Sequence, residues 1–261
     1  MAHPFELTEE IDLEATPEQV WAAIASGPGI DSWFMGHHQV AGHEGGRNAM
    51  SILGFTNEST ITAWEPGRRY AYRTDEAPDG TFMAFEFLIE GRDGGSTVLR
   101  YVHSGMLGDD WEAEYDGLRK GTGLYLRTLA VYLKHFGGRT AAYTMFLPSS
   151  QVLDETVAWR AFLDAFSIDP GSDRARLGID GLEPVDGIVE DASEPVYLEV
   201  RTDDGIYSLI HGYTGRRGRA VSRLRRQGRP GEAGERLAGL AGPARPGGLK
   251  LFARQDRRKC G

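Results

Sequence analysis

The stretch that decides the fold is DDWEAEYDGLRKGTGLYLRTLAVYLKHF, residues 109–136. Trp111, Tyr115, Leu118, Thr122, Tyr125, Leu129, Tyr132 and Phe136 recur at alternating steps of four and three, which lays an apolar and aromatic stripe along one side of an α-helix. Asp109 and Asp110 offer an N-cap and negative charge at the positive end of that helix. Lys134 and His135 place basic groups near the other end, and Gly137-Gly138 stops it. About 26 residues at about 1.5 Å each make a rod of about 39 Å, long enough to cross a whole sheet. Gly117, Gly121 and Gly123 lie inside the rod, each costing about 1 kcal/mol against alanine. Two readings of them stay open: they admit a neighbouring backbone, or they leave space beside the stripe for a ligand.

Working back from the helix, residues 82–90 and 96–103 form an expected hairpin around Arg92-Asp93-Gly94-Gly95, with Met83, Phe85, Phe87 and Ile89 inward on one strand and Leu99 and Tyr101 on the other. Residues 49–53, 59–64 and 69–73 are further short strands separated by turn chemistry such as Glu65-Pro66-Gly67. At the start, Phe5, Leu7, Glu9, Ile11 and Leu13 alternate with polar residues as in a half-buried strand. Glu9 falls on the apolar side, either as a strand-end residue or as a polar anchor in a cavity. Thr16-Pro17-Glu18-Gln19 reads as a capping box with proline at the first helical position, and Val20, Trp21 and Ile24 give that helix an apolar face. Gly27-Pro28-Gly29 is expected to end it, residues 30–34 to form a second helical turn, and residues 37–47 to be a polar, glycine-rich connection. An antiparallel sheet covered on its apolar face by one long helix is an α+β domain.

That order of elements resembles a known family. The opening strand into Ala15-Thr16-Pro17-Glu18-Gln19-Val20-Trp21-Ala22-Ala23-Ile24, the Ile61-Thr62-Ala63-Trp64-Glu65-Pro66-Gly67 strand and turn, the Gly95-Ser96-Thr97-Val98-Leu99-Arg100-Tyr101-Val102-His103 strand and the closing helix resemble the SRPBCC (START-like, helix-grip) superfamily. Within it they are most similar to the branch named after the activator of the heat-shock-protein-90 ATPase. The resemblance covers residues 4–136 and implies a curved antiparallel sheet gripping a long C-terminal helix, with a cavity between them that in many relatives holds an apolar or amphipathic small molecule. Lipid carriers, hormone receptors, polyketide cyclases and a chaperone activator share the fold, so the fold alone does not choose a function.

The candidate ligand-binding residues are Trp33, Phe34, Trp64, Tyr72, Phe85, Phe87, Tyr101, His103, Tyr115, Leu118 and Tyr125, because aromatic walls with a few polar tips line small-molecule sites. The competing reading of the same residues is a plain core. His103, near Arg100 and the start of the long helix, is a candidate acid or base at the cavity mouth. His37, His38 and His43 match no familiar zinc spacing and are expected in a flexible loop. No nucleophile elbow, phosphate-cradling glycine loop or telling carboxylate pair is present in the sequence, and no catalytic residue, metal ligand or cofactor is assigned. The expected partner is an apolar or aromatic small molecule, with a polyketide cyclase-like or aromatase-like enzyme and a chaperone-activator-like interaction module as alternatives. The chain opens directly on the first strand, without the additional amino-terminal domain of the full eukaryotic activator, which weakens the last of these.

Composition sets the remaining bounds. The 261 residues, 40% of them hydrophobic, suit one large soluble domain or two small ones. The sequence shows no apolar run of membrane-spanning length and no secretory signal, so a cytoplasmic location is expected. The single cysteine, Cys260, excludes an internal disulfide and a thiolate metal cluster. A net charge of −9 argues against general nucleic-acid binding, yet it hides an asymmetry: residues 1–214 carry 15 basic and 35 acidic side chains, residues 215–261 carry 14 basic and 3 acidic. Three segments are therefore expected: residues 1–138, a START-like ligand-binding domain; residues 139–214, a second α+β segment; and residues 215–261, a disordered arginine, glycine, alanine and proline-rich tail. In the second segment Asp154 caps a helix with Val157, Trp159, Phe162, Leu163 and Phe166 on its apolar face. Val196, Leu198 and Val200, the Thr202-Asp203-Asp204-Gly205 turn and residues 206–213 make a hairpin. A degenerate second helix-grip unit is one reading of that segment. The abrupt change at the tail fits either a basic arm or a GC-rich gene read in a shifted frame.

Overall fold

The computed structural model describes residues 2–142, 144–148, 154–169, 171–177, 184–193, 197–210 and 221–224, and the chain divides into two compact units, Met1–Thr140 and Ala141–Gly261. The first unit runs β1 (His3–Leu13), α1 (Pro17–Ile24), α2 (Gly27–Ile30), β2 (His37–Val40), β3 (Arg47–Ile52), β4 (Phe55–Glu65), β5 (Arg69–Thr74), β6 (Phe82–Arg92), β7 (Ser96–Leu107) and α3 (Trp111–Phe136). Its strands form one antiparallel sheet in the order β1-β7-β6-β5-β4-β3-β2. Chain neighbours are sheet neighbours except that β1 closes against β7. This is the α+β arrangement that the resemblance implies: a curved sheet with the long helix following its last strand.

Local chemistry explains the starts of the helices. Thr16 Oγ1 accepts from the Gln19 N–H at 3.4 Å while Gln19 Oε1 accepts from the Thr16 N–H at 2.9 Å, the reciprocal capping box expected ahead of α1. The next helix differs from expectation. Gly27-Pro28-Gly29 opens α2 instead of merely ending α1, because Ser26 Oγ accepts from the Gly29 N–H at 3.1 Å and a proline in the first turn has no N–H to lose. β2 also replaces part of the expected loop. Helix α3 has the expected bounds, although the Asp110 side chain makes no capping bond and the left-handed step after the helix falls on Gly138 (φ 77°), one residue past the C-cap.

The core of this unit is concentrated at one end of α3. From Leu124 onward the helix buries Leu124, Tyr125, Leu126, Leu129, Tyr132, Leu133 and Phe136, and it lies closest to β1, with β7 and α1 beside it. Val20 and Ile24 of α1, Leu13 of β1, Ile61 of β4 and Leu99 of β7 are also buried. Lys134 pairs with Glu14 at 2.7 Å on the exposed rim. The other end is looser. Around Phe5, Leu7 and Leu107, the partners Met83, Trp111, Tyr115 and Leu118 are only partly buried.

The second unit contains β8 (Met145–Pro148), α4 (Glu155–Ala165), β9 (Arg174–Leu177), β10 (Val185–Ser193), β11 (Tyr197–Arg201), β12 (Ile206–Ile210) and β13 (Val221–Leu224), paired in the order β8-β13-β12-β11-β10-β9. Asp154 Oδ1 caps α4 by accepting from the Thr156 N–H at 3.0 Å. The buried face of α4 is Ala158, Phe162 and the following Phe166, packed on Leu198, Val200, Tyr207 and Leu209. Val157, expected on that face, is 53% exposed, one step around the helix from Ala158. The expected hairpin is β11 and β12, its turn closed by Thr202 N–H to the Gly205 carbonyl at 2.8 Å; Val196 and residues 211–213 lie outside the described residues. Of the tail expected to be disordered, only residues 221–224 are described, and they pair with β8 and β12.

Two substitutions test this account of the core. Thr16→Ala is expected to cost about 1 kcal/mol and Leu99→Ala about 2 to 5 kcal/mol in urea denaturation. Equal, small losses would mean that the core does not lie where β7 meets α1 and α3.

Candidate functional site

The side of the sheet that faces α3 is defined by register. Phe85 pairs with Tyr72 on β5 and with His103 on β7, and Phe87 pairs with Tyr70 and Tyr101. Because side chains two apart along a strand share a face, these pairs build two parallel rows of rings across three strands. In one row, Tyr72 stacks on Phe85 at 4.8 Å and Phe85 on His103 at 4.3 Å, with the edge of Phe5 against His103 at 5.1 Å. In the other, Tyr70 stacks on Phe87 at 6.0 Å and Phe87 meets Tyr101 at 4.9 Å. A β-bulge between Ile61 and Ala63 brings Trp64 opposite Tyr70, so Trp64 joins the second row, where Trp21 of α1 packs edge-on at 4.9 Å.

The rows are not equally covered. Tyr70 and Phe87 are buried under α1, whereas Tyr72, Met83, Phe85 and Tyr101 remain half-buried, as do Trp111, Tyr115, Leu118 and Thr122 on the facing half of α3. Tyr72 shows what this means. Protein atoms surround its hydroxyl closely enough that burial pushes its pKa well above the ordinary value, yet the residue as a whole is only half-buried. A Cβ built on Gly117 would meet nothing within 4 Å, so close backbone approach is not what this glycine serves. Gly105 does serve close approach, since a Cβ there would lie 2.1 Å from the Phe82 carbonyl oxygen, and its φ of 152° is one that side-chain-bearing residues avoid.

Each of the eleven candidate residues now has a place. Tyr72, Phe85, Phe87, Tyr101 and His103 share the sheet wall, and Tyr115 and Leu118 face them from α3 beside Phe5 and Leu7. Phe34 packs edge-on against Tyr125 at 4.5 Å at the boundary between the open and filled halves of α3. Trp64 lies at the α1 end of its row. Trp33 is 3% exposed and its indole N–H donates to the Ala23 carbonyl at 2.9 Å, which holds α2 onto α1 and leaves it in the core. Glu9 is half-buried on the same face as Tyr101.

Polar groups on this face stand out. His103 is 4% exposed, and its Nε2 has no hydrogen-bond partner among the described residues. Burial disfavours the imidazolium and lowers its pKa to about 4. The Tyr70 hydroxyl is likewise buried without a partner among the described residues, and burial, with Tyr72 beside it, raises its pKa.

A second polar cluster was not legible in the sequence. His37 and His38, expected in a flexible loop, lie in β2 and share one carboxylate: Asp31 Oδ2 meets His37 Nδ1 at 2.7 Å, and Oδ1 meets His38 Nδ1 at 2.9 Å while accepting from the His38 backbone N–H at 2.8 Å. Burial raises the Asp31 pKa, but the hydrogen bonds from His38 and His37 outweigh it and hold the carboxyl below its ordinary range. The cluster ties the end of α2 to the edge strand. Among the described residues no group of three or more His, Cys, Asp or Glu side chains is arranged to hold a metal ion, and no helix is long and apolar enough to cross a membrane.

Residues 4–130 match the family described as polyketide cyclase/dehydrase and lipid transport. Similar solved structures include a protein of Mesorhizobium loti (22% identity, 51% of this chain and 98% of that one, TM-score 0.45). The Aha1 dimer of Colwellia psychrerythraea is similar at 20% identity, over 49% of this chain and 96% of that one, with a TM-score of 0.42. A Staphylococcus aureus protein of unknown function is similar at 17% identity, over 51% and 95%, with a TM-score of 0.45. No match was found among the curated proteins.

The depressed His103 pKa has a measurable consequence. Between about pH 4 and the unfolded value of 6.5 the unfolded chain binds a proton that the folded one refuses, so stability falls as pH drops through that window. Urea denaturation at pH 7 and pH 4.5 should show a loss on the order of 1 to 3 kcal/mol that His103→Phe largely removes. An unchanged pH dependence in the variant would place the titrating group elsewhere.

Proposed function

The amino-terminal unit of this chain belongs to the SRPBCC (START-like, helix-grip) superfamily, and from that premise we propose that it binds an apolar or aromatic small molecule between its sheet and its long helix. The observation that carries this reading is the contrast along α3. From Leu124 onward the helix is packed like a core, while Trp111, Tyr115 and Leu118 on α3 and Tyr72, Phe85 and Tyr101 on the sheet stay half-buried, and we read that exposed aromatic surface as the walls of the ligand site. Burying apolar ligand surface against those rings is the favourable step, at roughly 25 cal/mol per Å². The few polar tips would orient what binds.

An enzyme resembling the polyketide cyclases is the second reading, favoured by the family description and by Tyr101 and His103 standing on one strand with ring centroids 6.2 Å apart. In it the wall folds a reactive chain and these side chains move protons. Placement of the gene beside a polyketide synthase would favour it. A chaperone-activator-like role would use the outer surface and leave the hollow without a purpose.

For residues 139–214 we read a second, smaller α+β segment of helix-grip type. Its support is the pairing order, in which the opening strand β8 lies next to β13 (Val221–Leu224, beyond that range) and the others follow in reverse chain order, with a helix after the opening strand, as in the first unit; among the described residues no long closing helix follows the last strand, which is where the segment departs from the first unit.

The binding reading is tested by native mass spectrometry and by titration with neutral polycyclic and long-chain compounds. Phe85→Ala and Tyr125→Ala should each weaken binding about tenfold, and Glu10→Ala on the exposed face should leave it unchanged. A chain that retains and titrates no apolar compound does not have this function.

A further inference from the structure

An apolar hollow has no physical need of a histidine. A leucine at position 103 would pack between Phe5 and Phe85 without leaving a polar atom dry. Instead, the imidazole lies in the row of rings, stacked on Phe85 and edge-on to Phe5, with Nε2 sealed from water and lacking a partner among the described residues. Its cross-strand neighbours are Leu7 on β1 and Phe85 on β6, and neither has a side chain that can donate or accept. The phenol of Tyr72 stands at the far end of the same row.

We propose that His103 is the specificity-determining side chain of this site, hydrogen-bonding the hydroxyl of a neutral alcohol or phenol whose ring lies along Phe85 and Tyr72. The proposal rests on the reading of the concave face as a ligand site and adds the ligand's polar group and charge. Neutrality follows from the wall. Arg69, Arg73, Arg92 and Arg100 alternate onto the opposite face of β5, β6 and β7, and Glu9 places an acidic group on this one, so a carboxylate ligand would meet like charge on the sheet wall and no arginine of these three strands to pair with. Discrimination follows from the dryness of the nitrogen. A hydroxyl that reaches Nε2 gains a bond without displacing water from it, whereas a methyl in the same place leaves the nitrogen unpaired. Because Nε2 is sealed beneath the stacked Phe85 ring, the proposal includes a displacement of that half-buried ring when the hydroxyl binds.

The test uses the full chain and three probes of one shape: 2-naphthol, 2-methylnaphthalene and 2-naphthoate. Tryptophan fluorescence titration should show 2-naphthol binding about tenfold or more tightly than 2-methylnaphthalene, with 2-naphthoate weaker than 2-naphthol. His103→Phe, which keeps a ring in the row, should reduce the preference for 2-naphthol to about twofold or less while 2-methylnaphthalene still binds. A measurement on the unmodified protein guards against misfolding of the variant: the His103 Nε2 nitrogen-15 resonance should move with 2-naphthol and stay in place with 2-methylnaphthalene. A preference that survives in the variant, or a resonance indifferent to 2-naphthol, overturns the role of His103 and leaves the ligand site standing. Failure of all three probes to bind overturns the ligand site itself, and this proposal with it.

Discussion

One helix is narrower than the sheet it must cover. Seven strands at about 4.8 Å make a sheet about 30 Å wide, and a helix with its side chains is about 10 Å across. Helix α3 lies along β1 and β7, and α1 covers the rings of the second row near Tyr70. Between these two covers, the sheet carries Tyr72, Phe85 and Tyr101 with surface still accessible. On the proposed reading, the ligand site is this geometric remainder. Curvature brings the sheet around the helix, and among the described residues of this unit α1, α2 and α3 are the only helices that could cover it.

A remainder of this kind would collapse if its walls were soft, and stacked rings are stiff. The Tyr72–Phe85–His103 and Tyr70–Phe87–Tyr101 rows tie three strands together through side chains as well as backbone, each favourable ring pair adding about 0.5 to 1.5 kcal/mol beyond area burial. Gly105 lets the β6 backbone close in at the open end, while the capping box and the Trp33 bond to Ala23 fix the helices at the other. Asp31 adds a polar tie between α2 and the edge strand through two histidines.

The second unit solves a related problem with less material. Phe162 of α4 and the following Phe166 cover Leu198, Val200, Tyr207 and Leu209. The alternate positions of the same hairpin carry Tyr197, Glu199 and Ser208. Tyr197 and Ser208 both donate to Glu199 Oε2, the latter at 2.8 Å, so a carboxyl that is 0% exposed is held by hydroxyls. Both faces of β11 are thus buried for different reasons, one apolar and one polar.

The sequence by itself determined the elements whose information is local. The steps of three and four in α3, the Thr16 and Gln19 capping box, the Asp154 cap and the alternation in β6 each state a conformation and a buried face within a few residues. It also identified the rings of the sheet wall, because a period of two names a face. What the tertiary structure alone decided is depth and neighbourhood. Trp33 and Phe34 are adjacent and equally aromatic, yet one is locked to Ala23 and the other reaches Tyr125. Trp64 joins Tyr70 only because a bulge shifts the register after Ile61. His37 and His38 become a strand only when Asp31, six and seven residues earlier, closes on them. Periodicity fixes which way a side chain points, but whether it meets another side chain or a hollow depends on pairings between strands distant in the chain, and those contacts leave no local pattern to read.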